Sequence, residues 1–168
     1  MADAATMTIK AVLLPEEIQT TLKDLTFTYT PADASEKWYY KLVNVRHNAS
    51  SDLIEGNFLS QSTGVDTAST NASVATSDKV RFLFIKNTAT SDGSTSSDES
   101  IYICFDGGTA AYNLSDAIEI GAGESWYGKL PNTTVGDIHA ISGDSGASSA
   151  GEASVQCIVA SIIHDVSV

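Results

Sequence analysis

Apolar and polar positions alternate with period two in several short stretches of this chain, the pattern of half-buried β-strands. In KVRFLFIKN (79–87), alternation sets Val80, Phe82, Phe84 and Lys86 on one side and Arg81, Leu83 and Ile85 on the other. The second half of that stretch is apolar on both sides, which predicts a central strand. In SVQCIVASIIH (154–164), Val155, Cys157, Val159, Ser161 and Ile163 share one side and Ile158, Ala160 and Ile162 the other, so both faces look covered again. Further strands are expected at residues 25–30, 37–45, 100–106, 116–120, 124–130 and 136–142, where β-branched and aromatic residues cluster between turn signals such as FDGG (105–108) and IGAGE (120–124).

Between the strands run tracts almost wholly of Ser, Thr, Gly, Ala, Asp and Asn, at 60–78, 89–100 and 142–154, which read as loops. One segment, LPEEIQTTLKDL (14–25), has helical spacing at Ile18, Leu22 and Leu25, with Pro15 suited to a first turn, although a strand or irregular arm competes with it. The pattern predicts an all-β chain: a single β-sandwich of jelly-roll or Greek-key kind over residues 15–168, with at most one short helix near 15–25, preceded by an N-terminal arm at 1–14. A barrel is the alternative closure.

Composition narrows the function. At 168 residues the chain suits one domain, and with 21 acidic against 9 basic side chains its formal charge is −12, so a phosphate backbone would be repelled. No nucleic-acid partner is expected. No apolar run approaches the roughly 18 residues that span a bilayer, and the start MADAATMTIK lacks the pattern of a secretory signal, so synthesis in a cytosol without a membrane partner is expected. The two cysteines, Cys104 and Cys157, sit in apolar strings and read as buried free thiols.

Catalytic patterns were sought against what each chemistry needs. His47, His139 and His164 stand apart from any HExxH or Cys/His pairing, no GxSxG surrounds a serine, and the glycine-rich pieces do not form a phosphate loop ahead of a helix. The carboxylates lie beside Gly, Ser and Thr in loop tips, where no desolvation is expected. No enzymatic role, cofactor or metal is expected.

The sequence does repeat itself once. ASEKWYYKLVN (34–44) and AGESWYGKLPN (122–132) agree at seven of eleven positions at an offset of 88 and hold both tryptophans. Alternation groups Trp38, Tyr40 and Leu42 against Lys37, Tyr39 and Lys41, and Trp126, Gly128 and Leu130 against Tyr127 and Lys129. The expectation is Trp and Leu inward, each Trp plugging the sandwich where a turn feeds a strand. Tyr39, Lys41, Tyr127 and Lys129 then point outward as candidates for a subunit interface or a sugar platform.

Three stretches, YTPADASEKWYYKLVNV, AIEIGAGESWYGKLPNTTVGDIHAISG and VQCIVASII, with their GAGxSW turn and IHAIS strand, resemble small β-rich virion proteins of tailed bacteriophages, especially cyanophages. The likeness covers residues 25–45 and 80–164. It implies a head decoration (cement) protein on the outer surface of the capsid, a homotrimer whose partners are itself and the major capsid protein, with a tail, baseplate or fibre component that binds host glycans as the alternative. It assigns no role to any residue. Tyr39, Lys41, Tyr127 and Lys129 become candidate contacts to a subunit or to the capsid.

Overall fold

Residues 5–9, 25–32, 35–59, 72–143 and 153–167 are described by the computed structural model. The chain divides into two compact units, Met1–Ala34 and Ser35–Val168. The expected boundary between residues 14 and 15 is therefore displaced. In the first unit, β1 (Ala5–Ile9) pairs antiparallel with β2 (Leu25–Tyr29), from Ala5 opposite Tyr29 to Ile9 opposite Leu25. Five residues of the expected arm are thus strand, and the LTFTYT strand pairs with them instead of joining a sandwich sheet. The expected helix over 15–25 lies outside the described residues, apart from Leu25, which opens β2.

The second unit holds β3 (Glu36–Val45), β4 (Ser51–Asp52), β5 (Lys79–Asn87), β6 (Ile101–Cys104), β7 (Ile118–Ile120), β8 (Ser125–Lys129), β9 (His139–Ser142) and β10 (Val155–His164), with one 3-10 turn at Val135–Asp137. They form two antiparallel sheets in the orders β3-β10-β5-β8 and β4-β9-β6-β7. All the strands expected from residue 37 onward are present. Only β4, a two-residue strand, carries too little pattern to be foreseen. Apart from the β6-β7 pair, successive strands alternate between the sheets, and the first and last lie side by side, the topology of an eight-stranded jelly roll.

Apolar side chains from both sheets meet in one core. Tyr39, Val45, Val80, Leu83, Ile85, Val155, Val159 and Ile163 come from the first sheet, and Ile101, Ile103, Ile120 and Ala140 from the second. Each fully buried aliphatic side chain contributes about 1.5–3 kcal/mol, so this layer dominates the stability of the unit. Two polar side chains inside it have hydrogen-bond partners. Asn87, fully buried at the end of β5, donates through Nδ2 to Glu99 O (2.9 Å) and Ile120 O (3.2 Å), tying one sheet to the other, while its Oδ1 accepts from the Ala89 N–H. Ser161, also fully buried, donates to Phe82 O at 2.7 Å.

The central position of β5 and the two covered faces of β10 match the alternation, but the grouping of Val80 does not. Phe82 pairs with Ile162 and Val80 with Ile163, leaving Arg81 as the extra residue of a β-bulge. The bulge shifts the phase by one residue. Val80 therefore joins Leu83 and Ile85 in the core, while Phe82 and Phe84 take the outer face. Arg81 holds the kink through Nη1 to Pro131 O (2.6 Å), with its Nε 3.5 Å from Glu36 Oε1.

Candidate functional site

The repeated segments form β3 and β8, the two edge strands of one sheet, and they present opposite sides to the core. In β3, Tyr39 is 1% exposed and Val43 and Val45 pack in the core, whereas Tyr40 and Leu42 are 48% and 51% exposed. The expected orientation is reversed there. In β8, Trp126 and Leu130 pack against the core, with the Trp126 ring centroid 5.3 Å from that of Phe105, and Lys129 is exposed, as alternation suggested.

Two local contacts explain the reversal. The Tyr39 hydroxyl donates to Glu55 O (2.9 Å) and accepts from the Glu55 N–H (3.2 Å), so the phenol has a complete partner set inside the core. In β8, a Cβ on Gly128 would lie 2.9 Å from Trp126 Cη2, so the indole rests over the place where residue 128 has no side chain. The first copy carries Tyr40 at the matching position. A side chain there excludes that placement for Trp38, which takes the other face.

The four residues expected together on one surface are consequently divided. Tyr39 is core. Lys41 shares its cross-strand row with Val159, Ile85 and Trp126 on the core side, and its Nζ reaches over the edge to Glu55 O at 3.2 Å. Tyr127 and Lys129 lie on the outer face, in the rows Tyr40, Ala160, Phe84, Tyr127 and Trp38, Ile162, Phe82, Lys129. A third row there is Leu42, Ile158, Lys86, Ser125.

This outer face is the candidate functional surface. Three adjacent rows across four strands supply three aromatic rings from the central row of the face and aliphatic groups on both flanks, with Tyr40 and Leu42 reaching solvent at the β3 edge. The sheet as a whole also gathers charge, and of its basic residues Lys86 and Lys129 lie in the outer-face rows. From residue 35 onward every lysine and arginine (Lys37, Lys41, Arg46, Lys79, Arg81, Lys86 and Lys129) lies in β3, β5 or β8 or directly follows β3, while Glu36 is the one acidic residue in the strands of that sheet. The other sheet has no lysine or arginine in its strands. On this face Phe82 and Ile162 are buried, and Tyr40 and Leu42 are exposed together with Lys86 and Lys129, which makes it the candidate contact surface of a strongly acidic chain.

The opposite face brings together side chains with chemical potential that sequence spacing did not connect. Asp52, His139 and Cys104 are cross-strand neighbours on β4, β9 and β6. His139 Nε2 lies 2.9 Å from Asp52 Oδ1 and its Nδ1 2.7 Å from Gly108 O, and Cys104 Sγ donates to the same carbonyl at 3.1 Å. Burial pushes the Cys104 thiol above its usual range, and Cys157 in the core is raised to about 12 for the same reason. Neither supplies a ready thiolate. The trio acts as a clamp that fastens the turn after β6 to the sheet. Beyond that turn, Ala110 and Ala117 pack on Tyr102, Cys104 and Ile141, and Tyr112 meets Tyr102 edge-on at 6.4 Å. Against known proteins, the chain matches no family model, no curated protein and no solved structure.

Proposed function

We propose that this chain is a structural protein of a tailed-bacteriophage particle, a decoration (cement) protein on the outside of the head that self-associates as a trimer and bridges neighbouring major-capsid subunits. The observation that carries the reading is the outer face of the β3-β10-β5-β8 sheet, an aromatic surface with Tyr40 and Leu42 exposed and lysines around it. Jelly rolls recur in viral capsid domains as well as in lectins and cupins, so the architecture supports the reading by analogy alone. The acidic remainder of the surface keeps such a protein soluble before assembly and away from the packaged genome.

The test is occupancy on particles. Purified protein is mixed with heads that lack it, and the pellet is assayed after sedimentation. Wild type should co-sediment, and Tyr40→Asp/Leu42→Asp should lose most of that binding while unfolding at the wild-type temperature. Failure of wild type to bind heads, together with its presence in purified tails, would overturn the head assignment in favour of a tail or fibre component.

A further inference from the structure

Among the described residues, the exposed large hydrophobic side chains fall mainly in two pairs. Tyr40 and Leu42 stand on the outer face of the first sheet, and Tyr112 and Leu114, 44% and 39% exposed, stand on the segment that covers the second. The two pairs differ in the charge around them. Lys86 and Lys129 are exposed on the first face. Around the second, Asp106, Asp116 and Glu119 are exposed, and Glu119 Oε1 accepts from Ser100 Oγ (2.8 Å) and Tyr102 Oη (3.3 Å), beside Tyr112.

One molecule therefore carries an exposed apolar pair that shares its sheet face with two exposed lysines and, on its other sheet, an exposed apolar pair with exposed carboxylates nearby. We infer that the occupant of the basic aromatic face is a second copy of this chain, docked by its acidic Tyr112–Leu114 face. Apposing two basic faces would set Lys86 and Lys129 against their own copies, whereas the unlike faces bury both apolar pairs and match charge for charge. Such a contact is heterologous. It closes into a ring where the turn per copy allows, as the proposed trimer requires, and otherwise continues as a stack. The inference deepens the assembly reading above by naming the partner of its surface, and it is tested without any phage particle, so its failure leaves head binding to be judged separately.

The experiment is a charge-exchange pair followed by light scattering on the full chain. Wild type should show mass beyond one copy, with association about tenfold weaker at high than at low salt because the charged rim is screened. Lys86→Glu/Lys129→Glu, and separately Asp116→Lys/Glu119→Lys, should each be monomeric, and an equimolar mixture of the two should associate again. All substituted side chains are exposed, and an unchanged unfolding midpoint confirms that each variant folds. A monomeric wild type, a lysine variant that associates as well as wild type, or a mixture that stays monomeric would overturn the inference.

Discussion

β3 and β8 are spelled almost alike and lie at opposite edges of one sheet, yet β3 buries its Tyr and shows its Trp side outward while β8 does the reverse. The decisive difference is the residue two places after the tryptophan. Gly128 leaves room for the indole to fold against the core, and Tyr40 does not. Alternation along a strand defines two faces, but one neighbouring side chain decides which of them the core receives.

The largest effect should come from the matched tyrosines. Tyr39→Ala opens a cavity and strands the Glu55 backbone, costing about 3–5 kcal/mol, whereas Tyr127→Ala on the outer face should cost about 1 kcal/mol. Urea unfolding of both variants reads the ratio directly, and equal losses would refute the reversed orientation. Next is the position that separates the copies. Gly128→Ala drives a methyl into the Trp126 ring and should destabilise by about 1–3 kcal/mol, with a blue or red shift in tryptophan emission that reports movement of the indole. A stabilised variant with unchanged emission would show that the indole does not depend on the glycine.

The first strand of the pair is also anchored by an ion pair at a position where the second carries serine. Lys37 Nζ donates to Asp165 Oδ2 at 2.6 Å, where the second copy has Ser125. Lys37, with help from Ser167, holds the Asp165 carboxyl at about 2, below its usual 3.8. A depressed native pKa contributes stability that is complete above the unfolded value and is lost as pH falls from about 4 toward 2. Lys37→Ser should therefore cost about 2 kcal/mol at neutral pH, and the gap to wild type should close across that acid window in denaturation midpoints. A gap independent of pH would assign the loss to the Lys37 stem packed over Phe58, whose ring centroid is 5.2 Å from Nζ. The smallest change is expected at Leu42. Leu42→Ser should alter the stability of dilute, unassociated protein by less than about 0.5 kcal/mol, and a loss as large as that of the matched Leu130→Ala would place Leu42 in the core after all.

Strand positions from residue 37 onward were readable because apolar runs such as KVRFLFIKN and SVQCIVASIIH are bounded by hydroxyl-rich loops. Facing was less so. Strict alternation placed Val80 with Phe82 because nothing in the letters marks the bulge at Arg81, and it turned β3 the wrong way because Tyr39 looks as amphipathic as Tyr127. The hydroxyl partner that lets Tyr39 go inside, the Glu55 backbone, is sixteen residues away and became visible only once β3 and the segment after β4 were placed. Charge segregation was hidden for a related reason. Lys86 and Lys129 are far apart along the chain and share one face only through the pairing of β5 with β8.

That pairing order also bears on how the molecule is made. β10, the last of the sandwich strands in chain order, lies between β3 and β5 in the middle of its sheet. Until residues 155–164 emerge, β3 has no neighbour, the core stays open along Val155, Val159 and Ile163, and the nascent chain must wait with its most adhesive strands unpaired. Emergence of β10, rather than any earlier local event, is the moment at which this jelly roll can close.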